Sequence, residues 1–125
     1  MRLLLDTHAL LWWLAERPLP RSAFRAIESP EADVAVSAVT IWEAAIKQAS
    51  GKLRLRHALD EGVRDLGFRE LPITFAHATA AGALPPLHGD PFDRMLIAQA
   101  QLEGRSIVTS DPQIARYDVH VVDAG

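Results

Sequence analysis

Five short apolar runs punctuate the chain, each followed by a polar or turn residue: Arg2–Leu5, Val34–Ser37, Phe68–Leu71, Ser106–Thr109 and Val119–Val122. Within them apolarity is continuous rather than alternating, as strands covered on both faces of a sheet require. Helix-length stretches lie between them: Thr7–Ala15, Pro20–Glu28, Val39–Ser50, His57–Leu66, Phe75–Ala83 and Phe92–Glu103. Their limits carry breakers, among them Pro18, Gly51, Gly67, Pro85, Pro86 and Gly104. Strands alternating with helices predict one α/β domain over residues 1–125, a roughly five-stranded parallel sheet flanked by helices on both faces. Ligands of such sheets bind beyond the carboxyl ends of the strands.

Acidic residues gather where that edge is expected. Asp6 directly follows the first run, and Asp111 follows the fourth with one residue between. Asp90 and Asp93 stand at the start of the helix that feeds the fourth run. In the stretch Val39–Ser50, the spacing of Val39, Trp42, Ile46 and Ala49 predicts the buried stripe, with Glu43 on its shoulder. A carboxylate there is costly unless something compensates it.

Each acid also has a purely local use. Asp6, Asp90 and Asp111 can cap helices, and Asp90-Pro91 and Asp111-Pro112 share a cap-then-proline shape. Glu43 can pair with Lys47 one turn on, for a few tenths of a kcal/mol. Local uses leave the convergence open. Two like charges about 4 Å apart repel by ~4 kcal/mol at an effective dielectric near 20. A divalent cation relieves that repulsion, and an all-oxygen set suits Mg²⁺ or Mn²⁺.

Composition narrows the field further. The 125 residues are 49% hydrophobic and 23% charged, ordinary values for a globular domain, and no apolar run reaches membrane-spanning length. The opening MRLLLDTHALLWWLAE has an Arg before leucines, but Asp6, His8 and Glu16 interrupt it, so a strand and helix are expected rather than a leader. The absence of cysteine excludes disulfides and thiolate metal sites and agrees with a reducing cytoplasm. His8, His57, His77, His88 and His120 show no zinc spacing; His8 and His88 lie near the acidic edge. Net charge is −3, unlike a basic nucleic-acid-binding domain, although Arg17, Arg21 and Arg25 cluster, as do Lys47, Lys52, Arg54 and Arg56. Trp12, Trp13 and Trp42 read as core or interface residues. Adjacent Trp12 and Trp13 cannot both face inward, so one is expected on a partner chain.

Taken together, LLLDTHALLWWL, SAVTIWEAAIKQASGKL, DPFDRMLIAQA and VTSD resemble a PIN-domain nuclease, and more narrowly the VapC-type toxins of bacterial toxin–antitoxin pairs. The resemblance spans nearly the whole chain in order. It implies that Asp6, Glu43 and Asp93 are core acidic residues and Asp111 the fourth, more variable one. Asp90 is then the helix cap and Asp93 the ligand. Thr7 and Ser110 match small hydroxyl positions beside the acids. The implied chemistry is RNA hydrolysis by water activated on one or two Mg²⁺ (or Mn²⁺) ions, leaving a 5′-phosphate and a 3′-hydroxyl. Arg94, Lys47, Lys52 and Arg54 are expected on the RNA backbone. A cognate antitoxin covering the site and a homodimer are the implied partners.

Other readings fit less well. A haloacid-dehalogenase-like phosphatase needs an acid two residues after Asp6, where His8 stands, and a downstream lysine, but Lys52 is the last. A phospho-receiver needs an acceptor ending the third strand, and Phe68–Pro72 has none. The non-enzymatic alternative is a PIN-like RNA- or protein-binding module that has lost turnover; an intact acidic set speaks against it.

Overall fold

The first apolar run becomes the middle of the sheet. In the computed structural model, which describes residues 1–125, β1 (Arg2–Leu5) lies between β2 (Asp33–Ser37) and β4 (Ser106–Thr109). β3 (Arg69–Leu71) and β5 (Val121–Asp123) close the two edges, giving the order β3-β2-β1-β4-β5 with every pair parallel. Leu5 is level with Val36 on one side and Val108 on the other.

Six α-helices make the crossovers among the first four strands, α1 (Thr7–Leu14), α2 (Arg21–Glu28), α3 (Ala38–Ala49), α4 (Leu59–Asp65), α5 (Phe75–Ala83) and α6 (Pro91–Glu103), and a 3-10 turn, Ile114–Arg116, joins β4 to β5. No helix is long and apolar enough to cross a membrane. Because strand side chains alternate faces, Leu3 and Leu5 join one apolar layer and Leu4 the other. The first layer holds Val34, Val36 and Val108 against Leu10, Ile27 and Val63 of α1, α2 and α4. The second holds Ala35 and Ile107 against Leu96, Ile97 and Ala100 of α6. Each fully buried Leu contributes about 2 kcal/mol of apolar transfer, so this two-sided burial explains why the runs are apolar without alternation.

Two expectations shift. The last strand starts at Val121 rather than Val119, because Val119 N–H turns back to the Tyr117 carbonyl at 2.8 Å. The stripe expected on α3 is not the buried one: Trp42 is 59% and Ile46 43% exposed, while Val39, Thr40 and Ala44 are buried. Small side chains let this helix approach its neighbours closely. Trp42 instead lies edge-on to Phe92 of α6, ring centroids 5.3 Å apart.

At the amino edge, Asp33 is held by two guanidinium groups. Arg69 Nε and Nη2 donate to its Oδ1 and Oδ2 at 3.1 and 3.2 Å. Arg105, with its side chain 2% exposed, donates to Asp33 Oδ1 at 3.2 Å and to the carbonyls of Leu3 and Asp33 at 3.1 and 2.9 Å. Arg69, then Arg105, hold the Asp33 carboxyl below its ordinary range despite some desolvation.

Candidate functional site

At the carboxyl edge each acid is placed by the end of a strand or the start of a helix. Asp6 ends β1 and begins α1, its Oδ1 accepting the Ala9 N–H at 2.8 Å. Its own N–H bonds the Val108 carbonyl at 3.1 Å, tying it to the end of β4. Asp6 is 7% exposed. Burial pushes its carboxyl above the ordinary value, partly offset by the Thr109 hydroxyl and Ala9 N–H and reinforced by the Glu43 charge.

Glu43 reaches this edge from α3. Buried Thr7 donates its hydroxyl to Glu43 Oε1 at 2.5 Å, and Lys47 Nζ lies 3.1 Å from Oε2. The local pair with Lys47 and the approach to Asp6 therefore coexist. Thr7 is occupied in orienting Glu43.

The second half of the site comes from α6 and the turn after β4. Asp90 Oδ1 caps α6, accepting the Phe92 and Asp93 N–H groups at 2.8 and 3.1 Å. One turn-start later, Asp93 is free of that duty and lies with its Oδ2 2.8 Å from His88 Nε2. Asp111 Oδ2 is 3.8 Å from the same nitrogen, while Asp111 Oδ1 accepts the Gln113 N–H at 2.9 Å. Burial pushes the Asp93 carboxyl up to about 6, with the Asp90 and Asp111 charges adding to the rise and the His88 contact opposing it.

The four acids thus stand as two pairs, Asp6 with Glu43 and Asp93 with Asp111. His88, Asp90 and Asp93 are a triple whose ligand atoms all lie within 4.8 Å. Sequence reading placed His88 near this edge without a role. Its position two residues before the Asp90 cap and five before Asp93 was the available signal, close enough in the chain for the ring to reach the first turn of α6.

Of the residues expected on RNA, Ser110 Oγ lies 3.2 Å from His8 Nδ1 at the exposed rim, and Lys47 stands beside Glu43. Arg54 lines a groove between α1 and α4 with Leu11, Leu14 and Leu59, and Lys52 is exposed in the preceding segment. Arg94 does something else. Its guanidinium donates to the carbonyls of Ala81, Leu84, Pro85 and His88 at 2.9 to 3.3 Å, leaving little for a phosphate. It clamps the loop that carries His88. Tyr117 assists, its hydroxyl donating to the Pro85 carbonyl at 2.8 Å and accepting the His88 N–H at 2.8 Å.

Comparison with known proteins places this arrangement. A PIN domain family profile matches residues 3–120. Ribonuclease VapC22 of Mycobacterium tuberculosis is 37% identical over 120 residues, covering 89% of this chain and 88% of that protein. Among solved structures, VapBC2 of Rickettsia felis bound to a promoter DNA fragment superposes with a TM-score of 0.75 at 13% identity, over all of both chains. A toxin–antitoxin complex from Klebsiella pneumoniae follows with a TM-score of 0.67 at 22% identity, over 95% of this chain and 94% of that one. The family profile over residues 3–120 and the 37% identical relative agree: the chain belongs to the PIN-domain family, with VapC-type proteins as its relatives.

Proposed function

We propose that the protein is a divalent-cation-dependent endoribonuclease, a VapC-type toxin that hydrolyses RNA phosphodiester bonds and is neutralised by a cognate antitoxin. One observation carries this reading: two carboxylate pairs, Asp6 with Glu43 and Asp93 with Asp111, lie along the carboxyl edge of the sheet, and two of their members, Asp6 and Asp93, are pushed above the ordinary range. Carboxylates arranged at such cost to their own ionisation are characteristic of a functional site. The donor set fits a hard cation: it is oxygen-rich, partly buried, and lacks an arginine or lysine aimed at Asp93. Asp6, Glu43, Asp93 and Asp111 would hold Mg²⁺ or Mn²⁺. When bound, the cation lowers the pKa of a water and offsets charge developing on the phosphate.

The chain's own residues prepare that chemistry. Thr7 orients Glu43, and the Ala9 N–H fixes one oxygen of Asp6. The Arg94–Tyr117 clamp holds His88 against Asp93. Lys47 and Ser110 are placed to meet the RNA backbone beside the acids.

The ribonuclease name of the 37% identical relative supports RNA as substrate, and the toxin–antitoxin complexes among the structural neighbours support an antitoxin partner. Exposed Trp42 and Ile46 support burial against a second copy as a homodimer. The cysteine-free composition supports work in the cytoplasm.

The test is cleavage of end-labelled total RNA by purified protein with Mg²⁺ or Mn²⁺, beside EDTA and Asp93→Asn controls. Metal-dependent cutting that the substitution abolishes supports the nuclease. Equal behaviour of both proteins would leave a binding module, with Asp93 serving only the start of α6.

A further inference from the structure

The outer side of α1 carries a row of side chains that neither the apolar layers nor the acidic pairs account for. His8 is exposed beside Asp6, joined to Ser110 by the 3.2 Å contact. One turn further, about 5.4 Å along the axis, Trp12 lies against it with ring centroids 4.8 Å apart and planes at 50°. Arg17, beyond the helix end, holds its guanidinium 5.3 Å from the centroid of the Trp12 ring. Trp13 turns the other way, packing 5.3 Å from Phe24 and against the first apolar layer. Both adjacent tryptophans are half-buried, but only Trp13 packs on an apolar layer, which leaves Trp12 to the row on the outer side.

We propose that Ser110, His8, Trp12 and Arg17 form a stacking subsite for an unpaired RNA base next to the phosphate held at the acidic edge. The proposal rests on the nuclease reading and deepens it by naming single-stranded RNA as the form recognised. Three observations carry it. The row begins at Ser110 and His8, which flank Asp111 and Asp6, so a strand lying across the acids passes over it. The indole is in contact with the His8 imidazole and the Arg17 guanidinium, which restricts its rotamers before any base arrives. Finally, carboxylates crowd the edge that the row borders, so a contact to a base face adds affinity that the acids do not supply to a phosphate. Aromatic and arginine faces supply such contacts to splayed bases, and a duplex does not offer its base faces.

The experiment measures binding of two fluorescein-labelled probes to the full chain in EDTA, which prevents cleavage. One is octa-adenylate, the other an abasic octamer with the same ribose-phosphate backbone. Wild type is expected to prefer octa-adenylate by about 5- to 100-fold, the range that stacking of one base supplies. Trp12→Ala should bring that ratio close to one with abasic binding unchanged, whereas Trp12→Tyr keeps most of it. Arg17→Gln should lower it less. Octa-adenylate should quench indole emission in wild type and not in Trp12→Tyr. Circular-dichroism melts confirm folding, and the surface variants Trp12→Tyr and Arg17→Gln remain informative if Trp12→Ala does not fold. An octa-adenylate preference that survives Trp12→Ala overturns the subsite, as does intact RNA binding accompanied by lost antitoxin capture, which would assign the row to the antitoxin. Cleavage of total RNA without any octa-adenylate preference overturns the subsite and leaves the nuclease standing. A Trp12-dependent preference without any cleavage supports the subsite and removes the nuclease.

Discussion

At the amino edge of the sheet, Asp33 sits between Arg69 and Arg105 with its carboxyl held below the ordinary range. At the carboxyl edge, Asp6 and Asp93 face Glu43, Asp90 and Asp111, and both carboxyls are pushed above it. The residue type is the same and the sheet is the same. What differs is the countercharge: Asp33 has two guanidinium groups on it, whereas at the other edge only Glu43 has a cationic partner, Lys47, and neither Asp6 nor Asp93 is paired with an arginine or lysine. Paired with its two arginines, Asp33 stabilises the fold, whereas the ionised forms of Asp6 and Asp93 are disfavoured by burial and by their acidic neighbours.

The largest effect on this contrast is expected from Arg105. Arg105→Met removes a buried charge that three acceptors rely on, and should cost about 3 kcal/mol, lowering the thermal midpoint by on the order of 10 °C. A calorimetric midpoint within a degree of wild type would erase the structural role given to the amino edge. Next comes the cation itself. At a hundredfold excess over its Kd, Mg²⁺ or Mn²⁺ should stabilise wild type by about 2.7 kcal/mol and Asp93→Asn much less. Equal shifts in thermal melts would separate Asp93 from the cation.

Smaller again is loss of the loop clamp. Arg94→Ala strips the charged partner from four carbonyls and should cost about 2 kcal/mol, with faster amide hydrogen exchange across residues 84–90. The smallest effects are ionic. In cation-free protein the folded state keeps a proton on Asp93 up to about pH 6, whereas the unfolded chain releases it near 3.8. Stability therefore falls as pH rises from about 4 to about 6, and denaturation of Asp93→Asn should lack that slope. Asp33 acts with the opposite sign, its contribution present above the ordinary carboxylate value and lost as pH falls through its lowered one. Arg69→Gln, at an exposed pair, should shift the melt least and lose even that shift in high salt.

Much of this was legible in the chain because burial on both sheet faces leaves a blunt signal. Leu3-Leu4-Leu5 and Ile107-Val108 are short apolar runs bounded by polar residues, as buried central strands are, and the acids that follow them fall at the carboxyl edge by topology. Where sequence reading failed, the deciding factor was distance between elements. Hydrophobicity alone put Trp42 and Ile46 inward on α3, yet Thr40 and Ala44 take that face because a helix packed closely has no room for an indole. Arg94 read as a phosphate ligand because charge is visible in sequence, while the four carbonyls that claim it come from a loop whose path is not. His88 was missed as a neighbour of both Asp93 and Asp111 for the same reason.

The strand order also imposes a timetable. β1 is among the first segments a ribosome delivers, but one of its two neighbours, β4, lies on the far side of α6 in the chain. Asp6 and Glu43 are therefore made long before Asp93 and Asp111 can join them. A nascent chain stalled before residue 93 has half the acidic edge, and one stalled before residue 106 still lacks β4, β5 and Asp111. Interrupted synthesis thus leaves fragments without the assembled acidic edge, which is complete only once nearly all of the chain has been translated.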